Sequence, residues 1–157
     1  MKRLLVCLFG TALLAACGQG AEAPAEGIKE LMANRVQPTA KLYWDSVQYI
    51  SDENGSREIV PTNDAEWART RKAAEDLAAM GELLMTPAYA DGRAEDWKQF
   101  SQGLIDISKR AALAADHKSP EEVFEVGGTV YSVCSACHQA YPATAPEPGT
   151  SPSGAAA

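Results

Sequence analysis

The sequence predicts an all-α domain, an antiparallel up-down-up-down four-helix bundle, from three observations. Between residues 27 and 142 the apolar residues fall into four segments that step by three and four positions. Short stretches of turn chemistry join the segments, which folds consecutive helices back on one another. No segment sustains the period-two alternation of a half-buried strand. With 157 residues, 46% of them hydrophobic and 22% charged, the chain has the composition of one domain with its own core.

Residues 1–16 precede that domain. Met1-Lys2-Arg3 is a basic start, and residues 4–16 are uncharged and mostly apolar. The run is shorter than the roughly 20 apolar residues of a spanning helix, so it reads as a secretory signal peptide. Leu14-Ala15-Ala16-Cys17 resembles the lipobox of bacterial lipoproteins. That resemblance implies cleavage before Cys17 and lipidation of Cys17, which anchors the chain to a membrane by its acyl chains. It also implies the periplasm, and Gly18, in place of the aspartate that retains such proteins at the inner membrane, favours the outer one. Residues 17–26 then form a small, polar tether, and residues 143–157, rich in Pro, Gly, Ser, Thr and Ala, a disordered tail.

The first helical segment covers about residues 25–50, with Ile28, Leu31, Met32, Val36, Leu42, Tyr43, Val47 and Ile50 on its apolar face and a kink or break at Pro38. Residues 51–61 are turn chemistry. The second helix starts after Pro61, where Asn63 and Glu66 have the spacing of a capping box. Trp67, Ala74, Leu77, Gly81 and Leu84 mark its buried side, Thr86-Pro87 ends it, and residues 89–92 form a loop. The third, about residues 93–116, carries Trp97, Phe100, Leu104, Ile107, Ala111 and Ala114 in alternating steps of three and four. Ser119-Pro120-Glu121-Glu122 opens the fourth with an N-cap, a first-turn proline and a box glutamate; Val123, Val126, Val130, Val133, Cys137 and Tyr141 continue it to Pro142. Gly127-Gly128 inside that helix costs about 1 kcal/mol per glycine relative to alanine, which points to a close approach to the backbone there.

The chemistry sits at the end of the fourth helix. Cys134-Ser135-Ala136-Cys137-His138 is CxxCH, the attachment signature of c-type haem. Thiols three residues apart on a helix share a face and reach two vinyl groups on adjacent pyrroles, and the next residue turns its imidazole toward the iron. The competing uses of paired cysteines fit less well. A thioredoxin-like CxxC follows a strand in a βαβ unit, and this sequence has no such unit. A structural zinc needs four ligands, and beyond these three only the remote His117 remains. A disulfide between such thiols on a helix is strained. Cys134 and Cys137 are therefore assigned as thioether anchors of one haem c and His138 as its proximal iron ligand.

A CxxCH that ends the last of four helices, preceded by Val126-Gly127-Gly128-Thr129, resembles the cytochrome c prime superfamily over about residues 28–141. One subgroup of that family is high-spin, lacks a sixth ligand and binds NO and CO. The other is low-spin and takes a methionine from the first helix, and Ile28-Lys29-Glu30-Leu31-Met32 is similar to that ligand turn. Many relatives have a basic residue soon after the haem histidine; here the sequence runs Gln139-Ala140-Tyr141-Pro142.

Topology bears on the sixth ligand independently. In an up-down-up-down bundle the end of helix four meets the start of helix one, the end of helix two and the start of helix three. His117 lies at the other pole, since the 19 steps from Ser119 to His138 make roughly 28 Å of helix. The same-end sulfurs are Met32, Met80 and Met85. Met32 shares the stripe with Ile28 one turn into helix one and is the candidate metal ligand, against the common use of methionine as core filler. Trp97 belongs to the same pole, and Arg35 is a propionate candidate with a solvated alternative.

These residues describe a one-electron carrier, with a gas-binding protein of open distal face as the alternative. No catalytic constellation is present, and a peroxidase-like role lacks a distal acid or base. Removing residues 1–16 takes away Lys2 and Arg3 and no acid, which leaves 12 basic against 21 acidic residues, a net −9. That balance excludes nucleic acid and favours redox partner proteins with basic surfaces. A homodimer is compatible with a helical domain of this kind.

Overall fold

The structure, a computed structural model, describes residues 26–144. The signal peptide, Cys17, nearly all of the tether and the tail beyond residue 144 lie outside the described residues. Those described are mostly helical: α1 (Ile28–Leu31), a π segment (Met32–Val36), α2 (Gln37–Ser46), α3 (Asp64–Leu84), α4 (Pro87–Ala90), α5 (Glu95–Asp116) and α6 (Pro120–Ala140). None of these helices is long and apolar enough to cross a membrane.

Proline 38 shapes the first rod in a way its sequence signature only partly conveys. Proline lacks an N–H and its ring clashes with the carbonyl four residues back. The helix continues through it by widening one turn. Over Met32–Val36 the bonding is π, and the Gln37 N–H donates to the Met32 carbonyl, five residues back. Leu31, Val36, Ala40, Tyr43 and Val47 are buried, whereas Leu42 faces solvent.

The all-α expectation is corrected between residues 47 and 60. The rod stops at Ser46, Val47 is extended, and β1 (Gln48–Asp52) pairs antiparallel with β2 (Gly55–Ile59) from Gln48↔Ile59 to Asp52↔Gly55. Asn54 N–H donates to Asp52 Oδ1 at 2.9 Å, and Gly55 at φ +109° adopts the positive φ that closes the turn and that only glycine takes freely. Ile50, expected on a helical face, is a strand residue. Residues 89–92 differ more mildly from the expected loop, since Tyr89 and Ala90 belong to the short α4.

The two capped starts take the expected form. Asn63 Oδ1 accepts from the Glu66 N–H at 3.0 Å, and Ser119 Oγ from the Glu122 N–H at 3.2 Å. The return half of the first box is displaced by one residue: Glu66 Oε2 accepts from the N–H and hydroxyl of Thr62 rather than from Asn63.

α3 packs on α5, α5 on α6, and α2 on α3 and α6. The core between them includes Tyr43, Trp67, Leu77, Leu84, Trp97, Leu104, Ile107, Val123 and Val130. Gly81 permits a close approach of α3 to α5, since a Cβ there would lie 2.7 Å from Ile105 Cγ1 and 3.2 Å from the Ser101 carbonyl. Contacts at the helix ends define two poles. At one, Lys118 pairs with Asp64 at 2.7 Å and His117 Nδ1 with Glu122 at 2.8 Å. At the other, the Trp97 indole donates to the Leu84 carbonyl at 2.8 Å, Tyr141 donates to Asp96 at 2.5 Å, and Tyr89 donates to the Glu26 carbonyl at 3.0 Å.

Candidate functional site

The second pole holds the site. Two helices deliver its chemistry because each runs a stripe along one side. On the first rod Met32, Val36, Ala40 and Trp44 recur every four residues, and on α6 Tyr131, the adjacent Cys134 and Ser135, and His138 stand at helical spacing along one side. These stripes, with Leu84 of α3 and Trp97, Phe100, Ser101 and Leu104 of α5, enclose a cavity of about 340 Å³. That volume falls within the ~300–1,000 Å³ of small-molecule and cofactor sites.

The structure thus brings Met32, Cys134, Cys137 and His138 to one cavity, Met32 from the first rod and the other three from α6. Among the described residues, none with a carboxylate, ammonium or guanidinium lines it. Its polar lining comes from Gln37, Ser101, Ser135, His138, the thiols, Tyr131 and the indoles of Trp44 and Trp97. The Ser101 hydroxyl is spent on the Trp97 carbonyl at 2.9 Å, so it presents no free donor to the interior.

The two cysteines are unbonded and half-buried. Burial pushes the Cys134 thiol up, and burial with the neighbouring Cys134 pushes Cys137 to about 11. Arg93 opposes this at Cys137 without overcoming it. Redox-active CxxC pairs depend on a depressed thiol pKa, so the direction here runs against a thioredoxin-like use. Nor do any three His, Cys, Asp or Glu side chains group as a metal site among the described residues. The arrangement offers two thiols, an imidazole and a thioether to one largely apolar cavity.

Of the other candidates, only Trp97 belongs to this cavity. Trp97 is buried and lines it. Met80 is buried in the core and Met85 caps α3; neither lines the cavity. His117 stands at the far pole, bonded to Glu122. Arg35 is exposed and holds Glu26 at 2.9 Å. Sequence reasoning missed Trp44, Gln37 and Tyr131 on the cavity wall, and Arg93, whose guanidinium stacks 4.0 Å over the ring of the cavity-lining Trp97 and donates to the Tyr89 carbonyl at 2.7 Å. The four-residue steps through Val36, Ala40 and Trp44 were a usable signal for the first of these; for Arg93 no spacing was.

Compared with protein-family models, curated proteins and solved structures, the chain matches none.

Proposed function

We propose that the chain is a c-type cytochrome of the cytochrome c prime superfamily that carries one electron on the periplasmic side of a membrane. In this reading α2, α3, α5 and α6 are the helices of an up-down-up-down bundle, and the hairpin is an insertion between the first two. Cys134 and Cys137 hold haem c by thioethers, His138 is the proximal ligand and Met32 the sixth. Cys17 carries the lipid, residues 17–26 are the tether, and the outer membrane is the favoured site.

The observation that carries the proposal is the common cavity of Met32, Cys134, Cys137 and His138, otherwise lined almost wholly by apolar and aromatic side chains. When bound, haem supplies a reversible one-electron couple. The chain's own residues would tune it: ligation by the Met32 thioether and the His138 imidazole would favour the reduced state, and a lining without carboxylates would place no negative side chain against it.

Acid–acetone extraction and optical spectra of the full chain, made in a host competent for haem attachment, test this. Colour that stays with the protein and a low-spin spectrum in both redox states are expected. A colourless product overturns the proposal, and a high-spin product that takes up CO or NO without displacing a ligand replaces it with the gas-binding alternative.

A further inference from the structure

The cavity shares a wall with a second, open apolar groove. Trp44 and Tyr131 line both, and their rings meet edge to face at 6.2 Å. The groove, about 500 Å³, continues along α6 toward the other pole between Gly127, Gly128, Phe124 and strand β1. Phe124, Tyr131 and His138 stand at i, i+7 and i+14, so the stripe that carries the histidine runs straight into it. Phe124 is 51% exposed, Tyr131 63% and Tyr49 45%, three large aromatic side chains presented together on a protein surface. Tyr49 and Phe124 meet edge to face at 5.0 Å, so the patch is ordered by its own contacts.

Acidic residues neighbour the groove's aromatic residues in sequence and across the hairpin. Glu121 and Glu125 flank Phe124 on α6, and Glu58, as the cross-strand partner of Tyr49, shares its face of the hairpin. None of the three is ion-paired among the described residues. The hairpin's one cation, Arg57, is held by Asp52 at 2.6 Å.

We infer that this groove is the docking surface for a redox protein whose own apolar patch is ringed by lysine or arginine. The inference rests on the electron-carrier reading, and it names where that carrier is met. Uncompensated glutamates around an aromatic centre complement a basic rim and accelerate its encounter. A second copy of this chain fits less well, because an isologous contact would set Glu121 and Glu125 against their own kind. The small area suits a transient encounter; redox complexes form the low end of interface sizes, below about 1,200 Å² in total. Trp44 and Tyr131, which line both groove and cavity, then stand between the docked partner and the cavity.

Stopped-flow mixing of the reduced, haem-loaded full chain in detergent with an oxidised, lysine-rimmed mitochondrial-type cytochrome c tests the inference; one electron passes from the first to the second. Phe124→Gln and Glu125→Lys touch neither the cavity nor its ligands. Each should slow the reaction about tenfold at low salt, and added salt should erase most of the Glu125→Lys effect. Oxidation by a small neutral quinone should be unchanged in both, which shows that the variants are folded and loaded. Wild-type rates with the cytochrome in both variants overturn the docking surface while leaving the carrier intact. A wild-type dimer by sedimentation that Phe124→Gln dissociates also overturns it, in favour of a second copy. A wild type that attaches no haem removes the carrier reading and this inference with it.

Discussion

The indole of Trp44 is seated on the backbone of Gly127. Its Nε1–H donates to the Gly127 carbonyl at 2.9 Å, and a Cβ at Gly127 would lie 3.2 Å from Trp44 Cδ1 and 3.6 Å from Tyr43 Cε1. One glycine of the Gly127-Gly128 pair therefore does what its cost in helix propensity suggests, letting the first rod lie against α6. Gly128 does not, since nothing comes within 4 Å of a Cβ there.

This asymmetry gives a direct test. Gly128→Ala should raise stability by about 1 kcal/mol, the helix propensity of alanine over glycine. Gly127→Val should lower it by about 1–3 kcal/mol by pushing Trp44 and Tyr43 off their seats. Urea denaturation of both variants decides it; equal effects at the two positions would show that the Trp44 contact does not constrain the helix.

A second expectation concerns the thiols. Cys134→Ala with Cys137→Ala should abolish covalent attachment, so that acid–acetone removes all colour, while helix content by circular dichroism stays near the wild-type value. Either single variant should retain one thioether and shift the reduced-state absorption. Colour retained by the double variant would mean that the pair is not the anchor.

Acid stability gives a third. The N–H and hydroxyl of Thr62 hold the half-exposed Glu66 carboxylate below its ordinary value of 4.5. A depressed folded-state pKa means stability that is full above the unfolded value and is lost as pH falls through the folded one. Glu66→Gln keeps an acceptor for Thr62 without the charge. Its melting temperature should therefore fall less than that of the wild type as pH drops from 6 to below about 4. Parallel curves would remove Glu66 from the acid response.

Periodicity and caps made most of the helical structure legible in advance, because those helices bury one side and satisfy their first N–H groups with the residues that announce them. Asn63, Ser119 and the α5 stripe through Trp97, Leu104 and Ile107 are such cases. The hairpin was not legible by the same signal. β2 is exposed throughout and β1 is at most half-buried, so there was no core face for alternation to record. Only Asn54-Gly55 announced it, and that dipeptide fits a turn of any kind. At the site, CxxCH stood out because three chemical groups come from five consecutive residues. The cavity wall did not: Trp44 and Tyr131 are 87 positions apart in sequence and meet only after folding.

Cys17 is open to a mass measurement. The full chain expressed with its own leader should yield a mature protein that begins at Cys17 and carries added acyl mass, and Cys17→Ser should leave the membrane fraction. An unmodified mature chain starting elsewhere would dismiss the lipobox resemblance.

The sixth ligand is the sharpest expectation, because the helix that bears Met32 is irregular at that residue. Met32 opens the π segment, and its carbonyl accepts the five-residue-back bond from Gln37 that carries the rod past Pro38. Such widened turns often occur at functional sites, where they re-aim a side chain. Met32 lines the same cavity as His138, whereas Met80 lies in the core and Met85 at the α3 terminus. Met32→Ala should therefore turn a low-spin protein high-spin, abolish the weak methionine-to-iron absorption at long wavelength, lower the reduction potential and allow rapid CO binding. Met80→Ala and Met85→Ala should remain low-spin. Pro38→Ala supplies a control on the π segment itself: if proline is what widens the turn, its loss restores regular bonding, moves Met32 about the helix axis and weakens ligation without removing the sulfur. A low-spin wild type that survives Met32→Ala but not Met85→Ala would reassign the ligand to the end of α3.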